Sequence, residues 1–464
     1  MLTIHVWPRW LKAFLLAHPL YKSPNALMSV FWYTTHVHQM KNTDDNNCRQ
    51  EPKDHSQRFE RATILTLNLV VGLYAVTFFL GKLLSVAFMH IDQEPIMRFS
   101  SWLICYSSCG EYIRRGLAGE LLWWINKCGI EPQFAIYALC VASCIAVMWW
   151  TIATAVRKGY NWWIFPLGFC AGGMFFAKTD FLFFFVVMLM ISSFAKVENP
   201  VKRFILVNLF GIIAINIHES AFFFSVPLLM LLSWRGGGFL ALLPSILAFG
   251  LSVVYKGTDE IAQKIVSGWS GVLTSGFWQP EHIADGASYL TCKAGWLLRL
   301  TTENLFLTCS YGIPNFLWLT GIFLGTLLAA SKALTLYKNQ LDCKTLPALL
   351  LIQAASLAPL APFFWDYSRL FGLWLMSSYW FYLQFGEDRL KAALPFTVKL
   401  GIFEGRRLRW IVVVLLCVLG MSPVRFKLNI CFSTSVVGHA IRTCIVTPRH
   451  AHGSIVEGLR YFSR

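Results

Sequence analysis

Charge is scarce in this sequence. Charged residues make up 14% of the 464, and acids are the rarer kind, with 24 Asp and Glu against 40 Lys and Arg. A typical soluble domain carries about 25% charged residues, so a water-facing surface for a chain this long cannot be assembled from what is present. There is no P-loop, no G-x-G-x-x-G after a strand, no H-E-x-x-H and no G-x-S-x-G, which leaves soluble nucleotide-driven and hydrolase chemistries without support. No pair of corresponding Gly/Pro-broken helices points to an inverted-repeat transporter. The apolar stretch Ala13 to Leu16 is too short for a secretory signal, so no cleaved leader is expected. The 13 cysteines are odd in number, and Cys140, Cys144, Cys170 and Cys417 lie in apolar runs, where they act as small hydrophobes. Cys105 and Cys109 are too isolated to form a metal site.

What the chain does have is apolar length. Hydrophobic residues reach 56% and aromatics 16%, with 38 Phe and 19 Trp, the side chains that face lipid and sit at headgroup level. The expected fold is all-α, a polytopic membrane protein. Residues 1–61 form a polar segment, 62–422 a transmembrane domain and 423–464 a carboxyl-terminal tail. Runs near 62–81, 134–156, 162–177, 181–195, 204–217, 221–234, 238–255, 308–331, 346–364, 370–385 and 410–422 give about 10–11 spans, each needing about 20 residues when upright. Several are short and paired as hairpins around a few polar residues, as in 204–217 with 221–234.

The net charge of +16 would suggest nucleic acid in a soluble chain, but here the basic residues sort by loop. With the amino terminus inside, the inside segments carry more than twice as many Lys and Arg as the outside ones. They include Arg9 to Arg61, Arg157 with Lys158, Lys196 to Arg203, and Arg389 to Arg409. The long outside loops are 90–133 and 256–306. No nucleic-acid partner is expected.

That topology puts the polar clusters on one face: His90, Asp92 and Glu94; Glu111, Arg114 and Arg115; Lys178 and Asp180; His218 and Glu219; Asp366 and Arg369. Ionisable groups at the ends of short apolar helices are costly unless paired or hydrated, so they mark a shared polar cavity. From Gly116 to Cys128, Leu117, Leu121, Leu122 and two tryptophans oppose Glu120, Asn126 and Lys127, the pattern of a helix lying along a membrane surface. Arg114 and Arg115 at its start would either bind a phosphate through planar forks or reach lipid phosphates as anchors. His218 and Glu219 do not share a helix face, so one would enter the cavity while the other caps a helix. At least one is expected in catalysis or substrate contact. Asp366 and Arg369, at i and i+3, would brace a hairpin or hold a phosphate. Loop 256–306, with Trp269, Trp278, Trp296 and Tyr289, suits either sugar stacking or a membrane surface.

The run Tyr112-Ile113-Arg114-Arg115-Gly116-Leu117-Ala118-Gly119, the His218-Glu219 turn and the Asp366-x-x-Arg369 turn resemble the bacterial O-antigen or capsule repeat-unit polymerases. The layout is also similar to C-type glycosyltransferases that use polyprenyl-linked donors, over about residues 60 to 390. The resemblance implies a multi-pass bacterial inner-membrane enzyme. It would transfer a glycan from a polyprenyl-diphosphate to an acceptor hydroxyl at the outer face, among membrane lipids and other polysaccharide-assembly membrane proteins. Arg114, Arg115, Lys178 and Arg369 would hold the diphosphate, with Asp366 orienting Arg369, while Glu219, His218 or Asp92 would serve as base. No cofactor is implied, and loop 90–133 lacks the adjacent acids that would point to a divalent metal. The rival reading is a transporter or flippase for a lipid-linked saccharide or an anionic solute. It would need polar groups reaching from both faces, whereas here they gather on one.

Overall fold

The computed structural model describes residues 113–130, 132–158, 180–234, 238–255, 257–270, 294–307, 345–363 and 367–396, with parts of 314–327. All of them belong to one compact unit, Glu60–Arg464. The described residues are helical, with no strand among them. In chain order the helices are α1 Gly116–Lys127, α2 Pro132–Arg157, α3 Asp180–Lys196, α4 Pro200–Ile217, α5 Ala221–Ser233, α6 Leu243–Val254, α7 Asp259–Ser270, α8 Ala294–Phe306, α9 Thr345–Leu357 and α10 Tyr367–Ala393.

The centre is α3. Its apolar residues continue round every side, and a helix without a polar face belongs in an interior. Phe183, Phe184, Val187, Met188, Met190 and Ile191 are fully buried. It packs against α2, α4, α5 and α10, most extensively against α4. Large aromatics fill the joints, with Trp150 and Trp380 meeting edge to face at 4.9 Å. Their polar ends are satisfied across helices: Trp380 Nε1 donates to the Met188 carbonyl (3.2 Å) and Trp374 Nε1 to that of Leu350 (2.8 Å). Those bonds remove the cost of burying an indole N–H.

Among the described residues two helix segments, Ala138–Ala155 of α2 and Pro200–Ile217 of α4, are long and apolar enough to cross a membrane. The bent pair Gly238–Val254 and Asp259–Trp269, at 95°, makes a third if it is one span. Exposed apolar stripes run down the outer faces. Val201, Ile205, Leu209 and Ile212 line α4, and Leu243, Leu247, Leu251 and Val254 line α6. Spacings of three and four residues put each set on one face.

Two expected boundaries shift. The run at 370–385 belongs to a longer helix reaching Ala393, bent at Gly386, whose φ of 75° and ψ of 169° break the helical path. The segment 256–306, expected as a loop, contains α7 and α8, and α7 is packed rather than open. Its Ile261, Ile265 and Trp269 form a second small core with Ile113, Ala118 and Leu122. Trp269 is fully buried edge-on to Trp123 at 5.3 Å, so it offers no open face to a sugar. Trp296 is exposed, while Trp278 and Tyr289 lie outside the described residues. The runs at 62–81, 162–177 and 410–422 also lie outside them, as does most of 308–331.

Candidate functional site

Three residues join α4 to α5, and they carry the site. His218 ends α4, its backbone N–H donating to the Ala214 carbonyl at 2.9 Å. Ser220 then opens α5, where the Ala221 N–H donates to the His218 carbonyl at 2.9 Å. A reversal this tight leaves the Glu219 side chain projecting from the corner, near the electropositive start of α5. His218 folds inward, 4% exposed, with its ring 5.2 Å from that of Phe183 on α3. Its Nδ1 accepts the Ser220 N–H at 3.2 Å and lies 2.8 Å from Ser220 Oγ. An imidazole held this way has its Nδ1 lone pair committed to the turn. His218 therefore fixes the corner, and Glu219 is the member of the pair that faces a charged partner.

The partner is Arg115, 104 residues away in sequence. Its Nε donates to Glu219 Oε2 at 2.5 Å and its Nη2 to Oε1, a two-point pair. The side chains are only 13% and 18% exposed. Arg115 stands at the N-cap of α1 with φ 64° and ψ 10°, the one non-glycine residue of positive φ among the described residues. Left-handed backbone at a bulky residue costs free energy and persists where its surroundings fix it. Here buried Ile113, whose carbonyl accepts the Gly116 N–H at 3.1 Å, anchors the turn on one side and Glu219 holds the guanidinium on the other.

The electrostatics follow. Burial pushes the Glu219 carboxyl upward, but the two-point pair with Arg115, helped by Arg114, outweighs it and holds the group well below the usual carboxylate range. His218 Nδ1 lies 3.8 Å from Glu219 Oε2. Asp180, 1% exposed, opens α3 one turn before Phe183 and so sits at the same end of the bundle. Helix α1 continues from Arg115 with Leu121 and Trp124 exposed, the Trp124 indole donating to Glu120 at 2.9 Å and Lys127 lying 4.7 Å from its ring. The helix expected over this stretch is therefore present, with Gly116, Ala118, Gly119 and Leu122 on its buried side.

Of the sequence-derived candidates, Arg114, Arg115, His218 and Glu219 are brought together. Asp92, Lys178, Asp366 and the Arg369 side chain lie outside the described residues. Asn208, which precedes the turn, is structural. Its Nδ2 donates to the Ala241 carbonyl at 2.6 Å and its Oδ1 accepts from Ser245 N and Oγ at 3.2 and 3.0 Å. Sequence reasoning missed Ser220, although a serine just before an apolar helix is a cap signal. It also missed Phe183, which nothing in its apolar run sets apart. Among the described residues no group of three or more His, Cys, Asp or Glu is placed to hold a metal ion. Comparison of the chain with family models, with curated proteins and with solved structures finds no match.

Proposed function

We propose that this chain is a multi-pass membrane glycosyltransferase of the polysaccharide-polymerase type, acting at the outer face of a bacterial inner membrane. It moves a glycan from a polyprenyl-diphosphate donor to an acceptor hydroxyl. The observation that carries the reading is the two-point Arg115–Glu219 pair. A guanidinium fork that grips a carboxylate at two points has the shape that grips a phosphate. The donor diphosphate competes with Glu219 for that fork. Once displaced, Glu219 loses its strongest favourable neighbour, and burial, the largest influence on it, raises its proton affinity toward that of a working base.

In the transfer itself the acceptor oxygen attacks the anomeric carbon. The bond from that carbon to the diphosphate oxygen breaks, and the hydroxyl proton passes to the base. Glu219 is the first candidate for that base and Asp92 the second, while His218 holds the turn. Arg114 and Arg115, with Lys178 and Arg369, offset the charge leaving with the diphosphate. The apolar stripes of α4 and α6 face lipid in this reading, and the remaining apolar runs complete a set of about 10–11 spans.

The test is extension of a lipid-linked repeat unit by the purified protein in nanodiscs. Wild type extends the unit, whereas Arg115→Lys and Glu219→Gln lose most of the activity. Full extension by both variants, or binding of lipid-linked glycan by neither wild type nor variants, overturns the proposal. Translocation of the saccharide without extension makes the chain a transporter instead.

A further inference from the structure

We infer that the end of the bundle remote from Glu219 binds the phosphate of an anionic phospholipid headgroup, held by Arg157, Lys158, Lys196 and Arg389. The two ends are about 24 Å apart along α3, at about 1.5 Å per residue, so this site is separate from the one above and independent of its function.

Three helices deliver the cations. Lys158, just past α2, donates its Nζ to the Leu383 carbonyl of α10. Arg389 of α10 donates Nη1 to the Ala195 carbonyl at 3.3 Å, beside Lys196 at the end of α3. Arg157 completes the group. Partial burial of their stems, and then the neighbouring cations, push Lys158 and Lys196 below the ordinary lysine range, Lys196 and Arg157 acting on Lys158 and Arg157 on Lys196. Among the described residues none of the four forms an ion pair. Asp388 and Glu198, the acids beside Arg389 and Lys196 in sequence, are exposed, and Glu387 accepts hydrogen bonds from Thr345 and, at 2.9 Å, from the Tyr382 hydroxyl. An anion placed between like charges turns their repulsion into attraction.

Position selects a lipid over a dissolved ion. The apolar window of α2 ends at Ala155, two residues before Arg157, so the cations stand where hydrocarbon would give way to headgroups. Two of them also rest on rings, Lys196 5.9 Å from Trp150 and Arg389 5.4 Å from Phe385, and Arg203 in the first turn of α4 lies 5.8 Å from Phe194. Phe194 and Phe385 themselves meet at 6.1 Å. Aromatic faces beneath cations form a border that suits an acyl chain below and a phosphate above.

The test uses the full chain released from nanodiscs containing equal phosphatidylglycerol and phosphatidylcholine, with bound lipids read by native mass spectrometry. Wild type retains phosphatidylglycerol at least about fivefold over phosphatidylcholine, the effect of a single basic residue at an anionic surface. Combined Lys158→Gln, Lys196→Gln and Arg389→Gln substitution removes that preference, while Lys158→Arg with Lys196→Arg keeps it. Equal retention of both lipids by wild type overturns the inference without reference to any variant, so a triple variant that fails to fold leaves it testable. An unchanged preference in the folded triple variant also overturns it. So does inorganic phosphate raising the wild-type melting midpoint in zwitterionic micelles as far as phosphatidylglycerol does, which would make this a site for the free ion.

Discussion

Glu219 grips Arg115 with both carboxylate oxygens, so two side chains 104 residues apart in sequence are held as one two-point pair. In the proposed glycan transfer, neither residue could do its part while it holds the other. Under that proposal substrate binding and activation of the base would be one event, because the diphosphate that takes Arg115 would free Glu219. The left-handed backbone at Arg115 makes the arrangement specific, since it aims the guanidinium from the start of α1 toward the α4–α5 corner.

Arg115→Lys tests the fork. A lysine keeps the charge and the backbone but offers one point of contact in place of two. Chain extension is expected to fall by about tenfold or more, in line with the loss of one charge-assisted hydrogen bond of about 1.5–3 kcal/mol. The assay compares rates at equal amounts of folded protein. Unchanged extension would leave Arg115 as a brace for the turn.

The pair also predicts a pH signature. Glu219 lies below its ordinary value of 4.5 in the folded state, so the stability it contributes is complete above that value and is lost only as pH falls toward the folded one. The gap in melting midpoint between wild type and Glu219→Gln should stay level from about pH 8 to about pH 5.5 and narrow below about pH 4. A gap that opens or closes near neutrality would show that another group dominates.

Chemistry at Glu219 separates from its stabilising role in the same variant. Removing a general base costs about two to four orders of magnitude in rate, whereas loss of a turn contact leaves the chemistry of the folded protein intact. Glu219→Gln is therefore expected to extend a lipid-linked unit at least about a hundredfold more slowly. Near-normal extension would move the assignment to Asp92, and an equally active Asp92→Asn would favour the transporter.

The sequence shows the helices and the corner but not the pairing. His218 and Glu219 stand out because two ionisable residues interrupt apolar runs, and lipid-like surroundings penalise charge there. Which arginine meets Glu219 is invisible, because Arg114 and Arg115 are adjacent and their local patterns are equivalent; only the backbone at 115 separates them. The packed state of α7 was legible in principle, since Ile261, Ile265 and Trp269 recur every four residues. A tryptophan-rich loop reads as a binding surface only until that stripe is seen. The reach of α10 past Phe385 was hidden by Glu387, Asp388 and Arg389, whose charge mimics a loop.

Packing near the corner gives a prediction about stability alone. Asn208 ties α4 to Ser245 of α6, and Gly211, one turn on, lets the two helices close. A Cβ at 211 would collide with Ser245 Oγ and stand 3.1 Å from Met190 Cε. Gly211→Ala is expected to cost about 1–3 kcal/mol by overpacking. Asn208→Ala should cost a similar amount, about 1–3 kcal/mol, by stranding the Ser245 groups. Thermal melting in detergent reads both, and activity per folded molecule should be unchanged.

The last prediction concerns which end of the bundle faces out. Arg115 and Glu219 mark one end, and Arg157, Lys158 and Lys196 mark the other. Short loops rich in Lys and Arg stay in the cytoplasm, so the second end should face inward and α7, beside α1, outward. Ser267 is exposed on α7, and Lys158 is exposed at the far end. In a background freed of native cysteines, Ser267→Cys should react with a membrane-impermeant maleimide once the outer membrane is opened. Lys158→Cys should react only after the inner membrane is permeabilised. The reverse pattern would place the Arg115–Glu219 pair on the cytoplasmic side, where a polymerase acting on exported lipid-linked units would not meet its substrate, and would overturn the proposed function along with the topology.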